Sequence, residues 1–445
     1  MKNFFEECSN QRIQKETIDN IKTMPSNYVG SKRRLLPKLW DVIENHTECE
    51  TVFDAFSGSS IVSLMLKHMG KKVITNDLLT SSAITAVSVL ENSSIPLTKK
   101  EINFLCNNEP EEYGTFVLDN YKDKTFTEKE CVFLDKYRRN VELLCGDKFY
   151  CGIDLINKAT LSSIPNSNFS VSGDLNKLRS NHKIGRSFWD EKWRDTTRKR
   201  RDGNNEIMFE SSLNEIRDKY KSAFALFAIE HHVSQNCFLG GRMNNGQILA
   251  NVKHRLEHDK SKGKQLYEFS FKAKEIGNLL VDGDCKVYNS DIIDLLKSNE
   301  VKADLIYMDP PYGGASSDYA VLYRFLEEYL YEDKLENLEH IQKGGKRFSK
   351  QNGYVEQFEE LLSHCSNFPT WMLSYNDSSF ADIDIITNCI KNAGRKNVEV
   401  FSYEDFGYKY RKGKSDIDME HFKENYASEG HKFKSRGIEY IILAK

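Results

Sequence analysis

Proline is scarce in this chain, at 8 of 445 residues, and neither a low-complexity tract nor an internal repeat occurs. A repetitive or Pro-rich scaffold is thereby excluded. The ten cysteines run from Cys8 to Cys389 without a single Cys-x-x-Cys pair. The closest two, Cys145 and Cys151, have no histidine pair beside them, so reduced thiols are expected and no metal. No apolar run is long enough to cross a bilayer, and Met1-Lys2-Asn3-Phe4-Phe5-Glu6-Glu7 lacks the form of a signal peptide. A cytoplasmic location without membrane contact is the default expectation. Excess charge is missing too: a net −3 gives no overall attraction to nucleic acid and leaves any such role to local patches.

What is present suffices for two domains, or one large domain with an insertion, since 39% hydrophobic residues can support a sizeable core. Residues 1–24 read as a polar, partly helical extension. After them comes an alternating rhythm: a helix through Leu35 to Glu44, a strand at Thr51-Val52-Phe53, a helix from Ser60 to Met69, a strand at Lys72-Val73-Ile74-Thr75 and a helix through Ala83 to Leu90. Strand and helix in such succession imply a parallel sheet with right-handed crossovers. The rhythm breaks over about 96–280, a polar and mainly helical stretch whose best periodic segment is Ser222 to His232. It resumes at Lys286-Val287-Tyr288 and the run Ala303 to Met308, followed by helix over about 319–334 and a basic glycine loop, Lys343 to Arg347. Strands at Thr370 to Ser374, Val398 to Phe401 and Glu439 to Leu443 follow, the last two as an antiparallel hairpin at the sheet edge.

The most informative residues are Asp309-Pro310-Pro311-Tyr312, at the carboxyl end of the strand through Met308, where open α/β sheets bind ligands. Two prolines fix φ and remove two donors, leaving the Asp309 side chain and the Pro310 carbonyl as acceptors beside the flat face of Tyr312. That set suits a planar ring carrying an NH2 group. Earlier, Phe53-Asp54-Ala55-Phe56-Ser57-Gly58-Ser59-Ser60 supplies small residues where a strand turns into its helix, as close approach of a ligand requires. Asp77 ends the next strand, where a nucleotide-binding fold holds a ribose, although capping the following helix is the simpler use.

In chain order, Asn27-Tyr28-Val29-Gly30-Ser31-Lys32, the Asp54 to Gly58 turn, Asn76-Asp77 and Asp309-Pro310-Pro311-Tyr312 resemble the D12 (Dam-like) class of N6-adenine-specific DNA methyltransferases. Met372 to Asp377 and Glu439 to Leu443 are similar to the closing parts of that family. The resemblance implies a Rossmann-like catalytic domain over 25–95 and 281–445, S-adenosyl-L-methionine as cofactor, and a target-recognition insertion over 96–280, in the order of the α group. By position, Tyr28, Gly30 and Lys32 would meet the methionine end of the cofactor. The Asp54, Phe56, Gly58 and Ser59 turn would cradle its centre, Asp77 the ribose, and Asp291 with Ile292 the adenine. One departure stands out, Ser60 where the family's turn usually ends in glycine.

Double-stranded DNA is the implied partner, with a cognate restriction endonuclease as a possible companion. Aromatics and cations alternate in Lys409-Tyr410-Arg411-Lys412, a mix that combines phosphate neutralisation with stacking. Arg198, Arg200 and Arg242 are further candidates for DNA contact. Asp-Pro-Pro-Tyr alone also leaves open cytosine N4 or an RNA base amine, or an inactive DNA-binding subunit.

Overall fold

The computed structural model describes Arg12 and residues 14–24, 28, 30–144, 219–234, 266–269, 276–311, 318–345, 347–348, 353–377, 379–404 and 438–445. Seven strands form one sheet: β1 (Thr51–Asp54), β2 (Lys72–Asp77), β3 (Cys285–Asn289), β4 (Leu305–Met308), β5 (Thr370–Asn376), β6 (Val398–Tyr403) and β7 (Glu439–Ala444). Their order is β3-β2-β1-β4-β5-β7-β6. The first five run parallel, whereas β7 is antiparallel to both β5 and β6. The expected hairpin of β6 and β7 is therefore present at the sheet edge, with β7 lying between β5 and β6 and β6 as the outer strand.

The helices are α1 (Leu36–His46), α2 (Ile61–His68), α3 (Thr80–Ala86), α4 (Lys99–Asn107), α5 (Phe116–Tyr121), α6 (Glu128–Leu144), α7 over 219–234, α8 (Ile292–Ser298), α9 (Tyr319–Leu322), α10 (Arg324–Tyr331), α11 (Glu339–Gly344), α12 (Tyr354–Ser363) and α13 (Ile383–Asn392). Alternate strand residues divide the core in two. Val52, Leu305, Tyr307, Met372, Ile441 and Leu443 join one apolar cluster with α1 to α7, α9 and α10. Phe53, Ile306, Met308, Trp371, Leu373 and Ile442 join another with α8, α12 and α13. A strand buried on both faces needs an unbroken apolar run, which is why Leu305-Ile306-Tyr307-Met308 reads as one. Packing also decides the helices. An isolated 11-residue helix is marginal, but α1 buries Leu36, Leu39, Trp40, Val42 and Ile43 on one stripe, each contributing about 1.5–3 kcal/mol.

Two helical expectations change in detail. The segment expected as one helix to Leu90 is α3 followed by a wider π turn over Val87–Glu91, and the buried Lys67 ammonium donates to the Leu90 carbonyl at its end, 2.5 Å away. The helix expected over 319–334 breaks at Tyr323 into α9 and α10. The boundary expected near residue 95 does not coincide with a break in packing, because Leu105, Tyr121, Leu134, Tyr137, Phe224 and Ile229 lie in the same apolar cluster as Leu39 and Leu64.

Candidate active site

Four strands of parallel sense deliver an acid each to one edge of the sheet. Asp54 ends β1, Asp77 ends β2, Asp291 follows β3 and Asp309 follows β4. Between β1 and β4 the strand order reverses, and crevices open at such switch points. All four acids line one cleft there, with about 940 Å³ of empty space including its mouth. Its size and mixed lining suit a small organic ligand.

The Asp54 to Ser60 turn is held by its own backbone and by β2. Ser57 N–H donates to the Asn76 carbonyl at 2.9 Å and Ser60 N–H to the Ser57 carbonyl at 2.7 Å. Gly58 adopts φ +48°, and a Cβ there would lie 2.7 Å from the Tyr28 ring, so sterics as well as conformation demand glycine. Ser60 is also left-handed, with φ 57°, where the family's glycine would sit without strain. The buried hydroxyls of Ser57 and Ser60 have no hydrogen-bond partner among the described residues.

Asp54 is 1% exposed. Its Oδ2 accepts from the Ser63 hydroxyl at 2.6 Å, while Oδ1 has no partner among the described residues. Burial pushes its carboxyl up to about 7, opposed by the Ser63 hydrogen bond and assisted by the negative charges of Asp309 and Asp77. Asp77 accepts backbone N–H from Gly58 at 2.7 Å and from Leu79 at 2.9 Å. Burial still raises it to about 6. These acids are not gathered as a metal-holding group among the described residues. Carboxylates kept apart in a dry cleft favour an organic cation that can lie between them.

The segment before β1 closes over this turn. Tyr28 stacks on Tyr323 at 4.8 Å and on Tyr319 at 5.6 Å between ring centres, rings at the break between α9 and α10 and on α9. Gly30, at φ +78°, passes so close to α9 that a Cβ would lie 2.9 Å from the Tyr319 hydroxyl. Lys32 then turns its buried ammonium to Asp309 Oδ2 at 2.8 Å and to the Gly30 carbonyl at 3.1 Å. The lysine expected at the cofactor's methionine end is thus bonded to the acid of the Asp-Pro-Pro-Tyr quartet. Asp309 and Pro311 line the cleft, whereas Pro310 is buried outside its lining.

At the opposite end, Phe56, Ile292 and Phe348 supply an apolar slot. Asp291 caps α8 there, its Oδ1 accepting N–H from Ile293 at 3.0 Å and Asp294 at 3.3 Å. Its Oδ2 accepts from Arg347 Nε at 2.9 Å. A Cβ on Gly344 would lie 2.6 Å from that same Oδ2, so α11 can end against Asp291 only as glycine. Of the basic loop expected at 343–347, Lys343 and Gly344 form the last turn of α11.

Tyr28, Gly30, Lys32, Asp54, Phe56, Gly58, Ser59, Asp77, Asp291, Ile292, Asp309 and Pro311 all line the one cleft. Tyr312, Arg198, Arg200, Arg242, Lys409, Tyr410, Arg411 and Lys412 lie outside the described residues. Sequence reasoning missed Tyr319, Arg347 and Phe348. Tyr319 and Tyr323 carried a signal, an i, i+4 aromatic pair directly after the quartet. The adjacent Gly344-Gly345 marked a close backbone approach.

The family model of the D12 class N6 adenine-specific DNA methyltransferases matches residues 28–153. The chain is 26% identical over 381 residues to the Type II methyltransferase M2.HphI of Haemophilus parahaemolyticus, covering 85% of this chain and 91% of that one. A stretch of 77 residues is 38% identical to Modification methylase StsI of Streptococcus sanguinis, covering 17% of this chain and 12% of that protein. A match to this family implies a methyl donor and DNA as the molecule acted upon. The sheet order and the shared cleft agree with these matches, and over residues 28–153 the chain resembles the D12 class of N6 adenine-specific DNA methyltransferases.

Proposed function

We propose that the chain transfers a methyl group from S-adenosyl-L-methionine to the N6 amine of an adenine flipped out of duplex DNA, as the modification arm of a restriction-modification system. One observation carries this reading: Asp54 and Asp309 open onto a single cleft in which buried Asp54 keeps an oxygen without a partner among the described residues. The orphaned Asp54 Oδ1, Ser57 Oγ and Ser60 Oγ, with the Phe56, Ile292 and Phe348 slot, fit a cofactor that joins a cation to a ribose and a flat ring. Tyr28, Gly30, Asp54, Gly58 and Ser59 would hold its charged end. Asp77 would hold the ribose, each oxygen retaining a second lone pair beyond its backbone bond. Ile292 and Phe348 would hold the ring, with Asp291 at its edge. The cofactor supplies an electrophilic methyl on a sulfonium sulfur.

Asp309, on the cleft wall, accepts an N–H of the target amine, and the Pro310 carbonyl would take the other by turning in from outside the present lining; each bond frees the lone pair from the ring and draws the nitrogen toward tetrahedral geometry. Orientation and charge placement then supply most of the rate. Flipping the base costs a few kcal/mol, and stacking on Tyr312 would return about 1–3 kcal/mol. Target recognition is assigned to the segment 96–280 between the two catalytic portions, its helices α4 to α7 resting on the catalytic core. Arg198, Arg200, Arg242 and Lys409 to Lys412 are the candidate DNA contacts, and a cognate endonuclease is the expected companion.

Duplex DNA incubated with the protein and S-adenosyl-L-methionine, then digested to nucleosides for mass spectrometry, is expected to contain N6-methyladenine. N4-methylcytosine in its place would overturn the base assignment. Asp309→Ala is expected to lower turnover at least about 1,000-fold while cofactor and DNA still bind. Full turnover in that variant would remove the mechanism.

A further inference from the structure

We infer that Lys32 is a positioning residue for Asp309, holding the carboxylate that receives the target amine rather than serving the methyl donor. The inference rests on the reading that Asp309 accepts an N–H from that amine. Lys32 is 7% exposed and its path is fixed at several points. Tyr28 is stacked on Tyr319 and Tyr323, the Ser31 and Ser59 hydroxyls meet at 3.3 Å, and Arg33 donates to the Lys22 and Met24 carbonyls at 2.7 and 2.6 Å. A lysine so placed cannot swing to follow a ligand as a surface lysine does. Its ammonium reaches Asp309 Oδ2 at 2.8 Å, which orients the carboxylate plane at the end of β4.

Charge makes the contact necessary as well as available. The titratable groups facing Asp309 are Asp54 on β1, Tyr307 on β4, Tyr354 on α12 and Glu439 on β7, together with Lys32. Asp54 and Glu439 are carboxyl groups, and Glu439 lies within electrostatic reach of both Lys32 and Asp309 while its Oε2 is buried without a partner among the described residues. Carboxyl groups so crowded in a partly dry cleft repel one another, and the buried ammonium of Lys32 is the cation that offsets this at Asp309 Oδ2. It holds the acceptor in one orientation.

The test measures kcat and the dissociation constant of S-adenosyl-L-methionine from pH 6 to 9 for the full chain and for Lys32→Met and Lys32→Arg. In Lys32→Met, kcat is expected to fall about 100-fold and its acid limb to move up by about one pH unit or more. The cofactor dissociation constant should change less than about threefold, and Lys32→Arg should recover much of kcat and the original limb. A methionine variant with an unmoved pH profile and a dissociation constant raised more than about tenfold would overturn the inference and return the lysine to the donor. If Lys32→Met folds poorly, melting temperatures of Lys32→Met, Asp309→Asn and the double variant decide: the double variant should lose less than the sum, and strict additivity would overturn the pairing. An active Asp309→Asn enzyme would instead sink the reading of Asp309 as acceptor, an outcome separate from the Lys32 result.

Discussion

At the β1–β2 end of the cleft, Asp54 and Asp77 lie buried with no cation bonded to either among the described residues, whereas at the β4 end Asp309 is already paired with Lys32. The first pair rides up to about 7 and about 6 because burial outweighs its hydrogen bonds. The chain has left one site short of positive charge and filled the other from its own sequence. Such an arrangement suits a reaction in which one reactant brings a cation and the other brings only N–H donors. The first pair has no cation of its own among the described residues; the acid at the second has Lys32.

The largest effect that could break this comparison is Asp54→Asn. Removing the carboxylate should weaken S-adenosyl-L-methionine on the order of 30- to 100-fold in calorimetric titration, as for a buried charged partner. Its demethylated product, which lacks the sulfonium charge, should lose much less. Equal losses for both would mean that Asp54 does not answer the cation. The same variant should melt higher than the natural protein at pH 8, by the equivalent of about 1–3 kcal/mol, because a buried unpaired charge has been removed.

Proton linkage sharpens the point. Asp54 and Asp77 have folded values above the ordinary 3.8 for an aspartate, so their contribution to stability is complete below about pH 4. It is lost as pH rises through about 6 for Asp77 and about 7 for Asp54. The ligand-free protein should therefore lose melting temperature between pH 5 and 8, and Asp54→Asn should flatten that slope. Cofactor binding runs the other way. With Asp54 as the proposed partner of the cofactor's cation, binding should need the ionised acid, so affinity should weaken by up to about tenfold per unit as pH falls below 7, with proton release visible in buffers of different ionisation enthalpy. A pH-independent affinity with no proton released would remove Asp54 from the binding event.

A smaller effect is expected at the far end of the cleft. Arg347→Ala leaves Asp291 capping α8 and removes the guanidinium from Asp291 Oδ2 and from Glu360 Oε2, so cofactor affinity should fall about 3- to 10-fold with kcat nearly unchanged. A fall in kcat with unchanged affinity would place Arg347 with the Asp309 end instead.

The fold was legible in the sequence wherever one element carries its own pattern. All seven strands fall where short apolar runs sit, and even the antiparallel hairpin follows from the missing crossover between Phe401 and Glu439. The acids were legible because each ends a strand, a position that linear spacing reveals. What stayed hidden depends on distant partners. Nothing near Lys32 in the chain announces Asp309, and nothing near Arg347 announces Asp291. The packing of α4 to α7 onto the catalytic core was equally hidden, since polar surface residues mask the stripe that Leu105, Leu134 and Phe224 bury.

Ser60 gives the finest test of whether the β1–β2 end is built to be incomplete. A serine at φ 57° carries roughly 1 kcal/mol of conformational strain, and its buried hydroxyl without a partner among the described residues adds about 1–3 kcal/mol. Ser60→Gly relieves both and gives back about 0.4–1 kcal/mol through the freer unfolded chain. The ligand-free variant should be more stable by about 1–3.5 kcal/mol, read as a higher melting temperature. If the hydroxyl completes its hydrogen bonding only on the cofactor, that gain should shrink when S-adenosyl-L-methionine is bound, because affinity drops along with the strain. A gain of equal size with and without the cofactor would mean that the serine is strained for no ligand, and that the shortage at this end of the cleft is confined to the charge of Asp54 and Asp77.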